Sequence, residues 1–180
     1  IGGGSGAHID ADGLSGIQVH MTNTSNLPVE ALEREYPLLV TRYALIRDSG
    51  GAGRHRGGLG LERDLLVLHD GAVFTSMADR QMFSPWGLDG GHPGARGRYY
   101  VCRADGTVDD VPSKASNVPV NQGDLVRVLS PGAGGYGSPL ERDPGAVLAD
   151  VLEDRVSPEA ARDIYGVVFK PTHFDPARTY

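Results

Sequence analysis

The sequence predicts an α+β fold that is mainly β: a short-stranded β-sandwich or open barrel with Gly-rich loops and two short C-terminal helices. Three observations carry this. Short runs of alternating apolar and polar residues recur along the chain. Gly 26 and Pro 12 in 180 residues favour turns and short strands over long helices. Two closely spaced Pro-opened helix starts stand together in the last third.

Residues Gly2 to Gly16 form a Gly-rich lead-in, and Gly16 to Met21 is the first strand candidate. Pro28 to Glu35 reads as a short helix with Asn26 as its N-cap and Glu30 in its first turn; Tyr36-Pro37 stops it. Leu38 to Arg47 alternates and is read as a strand. Asp48 to Gly60 is a first glycine loop. Leu61 to Leu68 and Ala72 to Met77 flank Asp70-Gly71, a hairpin signal. Asp79 to Gly97 is a second glycine loop. Arg98 to Arg103 and Thr107 to Val111 make a hairpin around Asp105-Gly106. Asn117 to Asn121 and Asp124 to Leu129 are short strands, and Ser130 to Pro139 is a third glycine loop. Asp143-Pro144 and Ser157-Pro158-Glu159 each open a helix, Gly166 ends the second, and Val167 to Phe169 reads as a terminal strand. The expected organisation is a β-rich domain over 1–142, a helical appendix over 143–169 and a tail over 170–180. Ile1-Gly2-Gly3-Gly4 reads as a cut linker or as the continuation of a longer polypeptide.

A formal charge of −6 argues against a nucleic-acid or anionic-membrane surface. No run approaches ~18 apolar residues, so no transmembrane helix is expected, and no signal-peptide pattern is read at the N-terminus. The lone Cys102 fits a reducing compartment, hence an expected cytoplasmic location, and reads as a core residue.

Gly132-Ala133-Gly134-Gly135-Tyr136-Gly137 matches G-x-G-x-x-G. A dinucleotide fold opens its helix inside the glycines, whereas here Pro139 intervenes and the helix waits for Asp143-Pro144. A tight turn is therefore the preferred reading. Arg54-His55-Arg56 between Gly pairs could hold an anion or lie at an interface; the preferred alternative is that the arginines pin a loop to a carboxylate elsewhere. The six histidines show no metal-ligand spacing, so no complete metal site is expected in this chain. Trp86 either plugs a loop or faces a partner.

The stretch from His20 to Glu30 stands out. A His, two Asn and several hydroxyls lie between a strand and a helix N-terminus, which reads as a site edge. His20 is the catalytic candidate, with Thr22, Asn23 and Glu30 as substrate-binding candidates. The alternative is that Asn23, Thr24 and Asn26 satisfy a turn and cap the helix, which explains His20 less well, because His20 ends a strand.

Here the chain resembles the C-terminal third of the hydantoinase B/oxoprolinase family. The resemblance rests on Ile1-Gly-Gly-Gly, Asp12-Gly-Leu-Ser-Gly, Val19-His-Met-Thr-Asn-Thr and Pro28-Val-Glu-Ala-Leu-Glu. It continues through Asp48-Ser-Gly-Gly-Ala-Gly-Arg-His-Arg-Gly-Gly-Leu-Gly, Arg80, Pro85-Trp86-Gly87-Leu88 and Gly90-Gly91. It ends with Pro131-Gly-Ala-Gly-Gly-Tyr-Gly-Ser-Pro-Leu-Glu-Arg-Asp-Pro, Val156-Ser-Pro-Glu-Ala-Ala-Arg and Tyr165-Gly-Val-Val. Ala133 and Ser138 stand where Gly and Asp are expected.

The resemblance implies a B-type subunit of an ATP-dependent amidohydrolase that opens hydantoin, 5-oxoproline or lactam rings, or of an acetone- or acetophenone-type carboxylase. It implies an A-type partner that binds ATP and phosphorylates the substrate oxygen, so that a metal-bound hydroxide can attack. ATP and a divalent metal such as Zn or Mn belong to the whole hetero-oligomeric complex and not to this chain alone, because the metal-ligating motifs are expected in an upstream part of the B-type polypeptide. A purely structural bracing domain is the remaining alternative.

Overall fold

The computed structural model describes residues 1–18 and 25–170. Within these residues the chain runs α1 (Val29–Glu35), β1 (Leu38–Leu45), β2 (Leu61–Val67), β3 (Ala72–Met77), β4 (Arg98–Cys102), β5 (Val108–Val111), β6 (Lys114–Val120), β7 (Leu125–Leu129), a 3-10 turn over Pro139–Glu141, α2 (Pro144–Leu152) and α3 (Pro158–Asp163). The strands form a five-stranded antiparallel sheet in the order β1-β2-β7-β4-β5 and a two-stranded antiparallel sheet of β3 and β6. The mainly-β sandwich expected from the sequence is what forms; it does not close into a barrel.

The core follows from the period-2 pattern of the strands. Val67, Val101, Val111 and Val126 point from the larger sheet onto Val120, Phe74 and Val118 of the smaller one. Phe74 meets Tyr99 edge-on with ring centroids 6.3 Å apart. The opposite face of the larger sheet is polar: Arg127 pairs with Asp64 at 2.7 Å, and Arg42 pairs with Glu62. A second apolar cluster joins Ala52 of the first glycine loop to Val147, Val151, Val156, Ala161 and Tyr165 of the helical segment. The glycine loops lie between these two clusters.

The Asp105-Gly106 hairpin forms as expected, with Tyr99 opposite Val111 and Cys102 opposite Val108. The Asp70-Gly71 hairpin does not. β2 uses both edges, pairing with β1 and β7, so β3 crosses to the other sheet and pairs with β6. The turn is held instead against the β6–β7 turn: the Gly71 N–H donates to Asn121 Oδ1 at 3.2 Å and the Gln122 N–H to Asp70 Oδ1 at 3.0 Å. The turn signal specified a reversal, not a pairing partner.

Asn26 does not cap α1, whose N-cap is Pro28; it donates to the Tyr43 hydroxyl at 2.9 Å, an exposed link to the edge strand. Of the first strand expected over Gly16 to Met21, Ile17 forms a single bridge with Gly3, Gly16 and Gln18 join no ladder, and residues 19–21 lie outside the described residues. The strand expected over Val167 to Phe169 is absent; the Val167 N–H caps α3 by donating to the Ala161 carbonyl, and the Val167 and Phe169 side chains pack on the second cluster while Val168 is exposed. Cys102 is half-buried, free and on the polar face, not in the core. No helix among the described residues is long and apolar enough to cross a membrane.

Candidate functional site

The three glycine loops interlock through their backbones. The N–H groups of Gly51, Gly57 and Gly132 donate to the carbonyls of Ala133, Gly51 and Ala95 at 2.7, 2.9 and 3.1 Å. A Cβ on Gly132 would stand 1.8 Å from the Ser49 carbonyl oxygen, and one on Gly134 the same distance from that of Trp86. The spacing of glycines therefore reflects chain-to-chain approach. The same packing disposes of the nucleotide reading. The amides of Gly132, Ala133, Gly135, Tyr136 and Gly137 donate to Ala95, Gly58, His92, His55 and Leu88 carbonyls. They are not free to cradle a pyrophosphate.

A buried charge cluster locks this assembly to the helices. Arg142 forks onto Asp12 at 2.7 and 2.6 Å and reaches Asp150 at 2.7 Å. Arg56 approaches Asp150 through Nε and Nη2, both at 3.2 Å, while its backbone N–H donates to Asp12 at 2.8 Å. Two guanidiniums facing two carboxylates neutralise one another, which is how the charges tolerate burial. Burial pushes the Asp12 carboxyl up, but hydrogen bonds and charge from Arg142 and the Arg56 N–H outweigh it and hold it below its ordinary value. Burial pushes the neighbouring Tyr165 phenol up to about 12, so it stays protonated.

Beside the loops opens a cleft of about 550 Å³. Its walls include Gly2, Gly3 and Gly4 from the lead-in, Arg80 and Trp86 from the second loop, and Tyr99 from β4. Ser130, Gly132 and Gly134 close it from the third loop, and Gln18 stands at its edge. Its polar lining thus comes from Arg80, Asp79, Tyr99, Gln18 and Ser130, together with glycine backbone. Arg80 lies 4.7 Å from the centroid of the Trp86 ring, a cation–π stack that orients both. Arg80 holds a left-handed backbone, φ 63°, and Trp86 stays 66% exposed. Trp86 therefore faces outward and is not a plug. Met77, Met82 and Phe83 are 88%, 76% and 74% exposed on the same side.

His20, Thr22 and Asn23 lie outside the described residues; Gln18, two residues before His20, lines the cleft. Glu30 is exposed in the first turn of α1. Arg54 and Arg56 separate. Arg56 is buried on Asp150, the loop-pinning role preferred from the sequence. Arg54 stays partly exposed, 3.9 Å from Glu141 and 6.0 Å from the Tyr136 ring centroid. Sequence reasoning missed Asp12, Asp150 and Arg142, whose partners lie up to 130 residues away. It also missed Tyr99 and Ser130 in the cleft. No local signal marks any of them.

The described residues contain no group of three His, Cys, Asp or Glu side chains that could hold a metal ion. The divalent metal implied by the resemblance does not fit the residues described here, and no step is assigned to it on this chain.

The hydantoinase B/oxoprolinase family profile matches residues 1–139. The B-type polypeptide of a putative D-/L-hydantoinase from Pseudomonas sp. is 37% identical over 92% of this chain and 28% of its own length. The crystal structure of an ATP-dependent caprolactamase from Pseudomonas jessenii superposes with a TM-score of 0.80 at 30% identity, over 94% of this chain and 30% of that one. A nucleotide-free acetone carboxylase superposes with a TM-score of 0.82 at 25% identity, over 93% and 26%. The chain thus spans under a third of the length of these proteins. On the profile match and the shared fold, it belongs to the hydantoinase B/oxoprolinase family.

Proposed function

We propose that this chain is one module of an ATP-dependent cyclic-amide amidohydrolase, of the hydantoin-, 5-oxoproline- or lactam-opening kind, and forms one wall of the active site of a larger A/B assembly. The observation that carries the proposal is the cleft at Gln18, lined by the glycine lead-in, Tyr99 and Arg80, in a chain whose relatives include a hydantoinase polypeptide and a caprolactamase. In this reading His20 acts at the reacting centre, while Thr22, Asn23 and Glu30 hold the ring substrate. Arg54 faces an interface. ATP is bound by an A-type partner, and the metal by the rest of a family-length B-type chain, in the cytoplasm.

The remainder of the B-type chain also covers the outward face of Met77, Met82, Phe83 and Trp86. Some seven tenths of the comparable caprolactamase chain lies beyond the matched 30%. A contiguous apolar face this exposed is the surface such a body buries.

The test is His20→Ala in the assembled complex, followed by ATP-dependent ring opening of 5-oxoproline and of a hydantoin. Loss of a general acid–base group costs about 10²–10⁴ in kcat. Unchanged turnover would reduce the chain to a bracing role. The likeness to acetone carboxylase favours a second reading, a module of an ATP-dependent ketone carboxylase. Bicarbonate-dependent turnover of acetone or acetophenone, with none of cyclic amides, would select it.

A further inference from the structure

Arg63 stands apart from the other arginines of the sheet. β2 places Glu62 and Asp64 on its polar face, where Arg42 and Arg127 neutralise them. The alternation of the strand sends Arg63 to the opposite face, the one that carries Leu65 and Val67 into the core. There it has no acid within reach: no ion pair among the described residues involves it. Its Nε and Nη2 are buried and have no hydrogen-bond partner among the described residues. Its visible neighbour is the Tyr43 ring, 5.3 Å from the guanidinium carbon to the centroid.

The pairing register sets Tyr43, Arg63, Val128 and Tyr99 in one row across four strands. Tyr99 at one end of that row lines the cleft. Tyr43 at the other end stands on the edge strand with 44% of its surface exposed. The row thus runs from an exposed residue of the edge strand, Tyr43, to a residue of the cleft wall, Tyr99. A guanidinium is always charged, and a buried N–H without an acceptor is costly. An aromatic face compensates part of that charge but offers no acceptor to the forked N–H groups.

We infer that Arg63 is an oxyanion-binding residue: its Nε and Nη2 edge takes a diffusible carboxylate or phosphoryl group, with the Tyr43 ring stacked on the guanidinium. The planar edge matches two oxygens of either group. This assignment goes beyond the functional reading above, and the test needs no turnover.

The test uses the 180-residue chain, ¹⁵N-labelled, with inorganic phosphate and acetate as the probes and chloride at matched ionic strength as the control. The Arg63 Nε–H signal is assigned by its loss in Arg63→Gln. The expected result is a saturable shift of that signal with a Kd below about 10 mM, the millimolar range expected of a single charge-assisted site. A rise in Tm with the anion should accompany it in the wild type and be absent in a folded Arg63→Gln. Arg63→Lys, which keeps the charge but not the fork, should bind at least about tenfold more weakly. Response to both anions indicates carboxylate-type recognition; response to phosphate alone indicates a phosphoryl ligand. No shift with either anion, or one matched by chloride, overturns the assignment. So does an equal rise in Tm in Arg63→Gln. Failure of the His20 test would leave this result untouched, and the reverse also holds.

Discussion

Asp150 is the residue on which the buried charge cluster balances, because both Arg56 and Arg142 reach it and it is 3% exposed. Asp150→Ala leaves the Arg56 guanidinium without its carboxylate partner and Arg142 with Asp12 alone. Removing one partner of a buried pair costs about 3–5 kcal/mol, and chemical denaturation of the variant should read a loss in that range. Asp12 adds a pH dependence whose sign is fixed by its lowered pKa. The unfolded chain binds the proton more readily, so the stabilisation is present above the ordinary value of 3.8 and lost as pH falls through the depressed folded value. Denaturation midpoints measured from about pH 6 down to about pH 2 should therefore fall less in Asp12→Asn than in the wild type. An equal fall in both would refute the linkage.

At the scale of elements, the glycine loops are specified by close approach and the helices by their caps. Gly132→Ala drives a methyl into the Ser49 carbonyl and should cost about 1–3 kcal/mol or more, the range of overpacking. Gly6→Ala meets nothing within 4 Å at a position without positive φ, so it should be neutral or stabilise by about 0.4–1 kcal/mol through the unfolded chain. Thermal melts of the two variants distinguish the cases; equal effects would mean that loop packing is not what the glycines serve. The Ser157 hydroxyl accepts from the Ala160 N–H at 3.1 Å at the start of α3. Ser157→Ala should cost about 1 kcal/mol.

At the scale of the whole molecule, two apolar clusters flank a glycine-loop layer, and the exposed side of that layer carries the cleft and the Trp86 face. Trp86→Ala should leave the fold intact, since the side chain is mostly exposed, yet weaken assembly with the rest of a B-type chain. An exposed aromatic anchor at the centre of an interface is worth about 2 kcal/mol or more. Affinity measured between separately expressed pieces should drop about thirtyfold, and an unchanged affinity would move the interface elsewhere.

The local signals in this chain were enough to determine the mainly-β class, the Asp105-Gly106 hairpin, and the Pro-opened, Ser- or Asp-capped helices α2 and α3. Each rests on contacts a few residues apart, so the short-range pattern carries it. The family was also legible, because glycines forced by backbone approach hold a fixed spacing. Tertiary structure alone decided the rest. It sent β3 across to β6, since both edges of β2 were taken. It turned Arg56 into a brace by bringing up Asp150 from 94 residues away, and it left Arg63 without an acid because strand alternation put its neighbours on the other face. Pairing partners and buried ion pairs depend on which distant segments meet, and that information is not carried by any one stretch of the sequence.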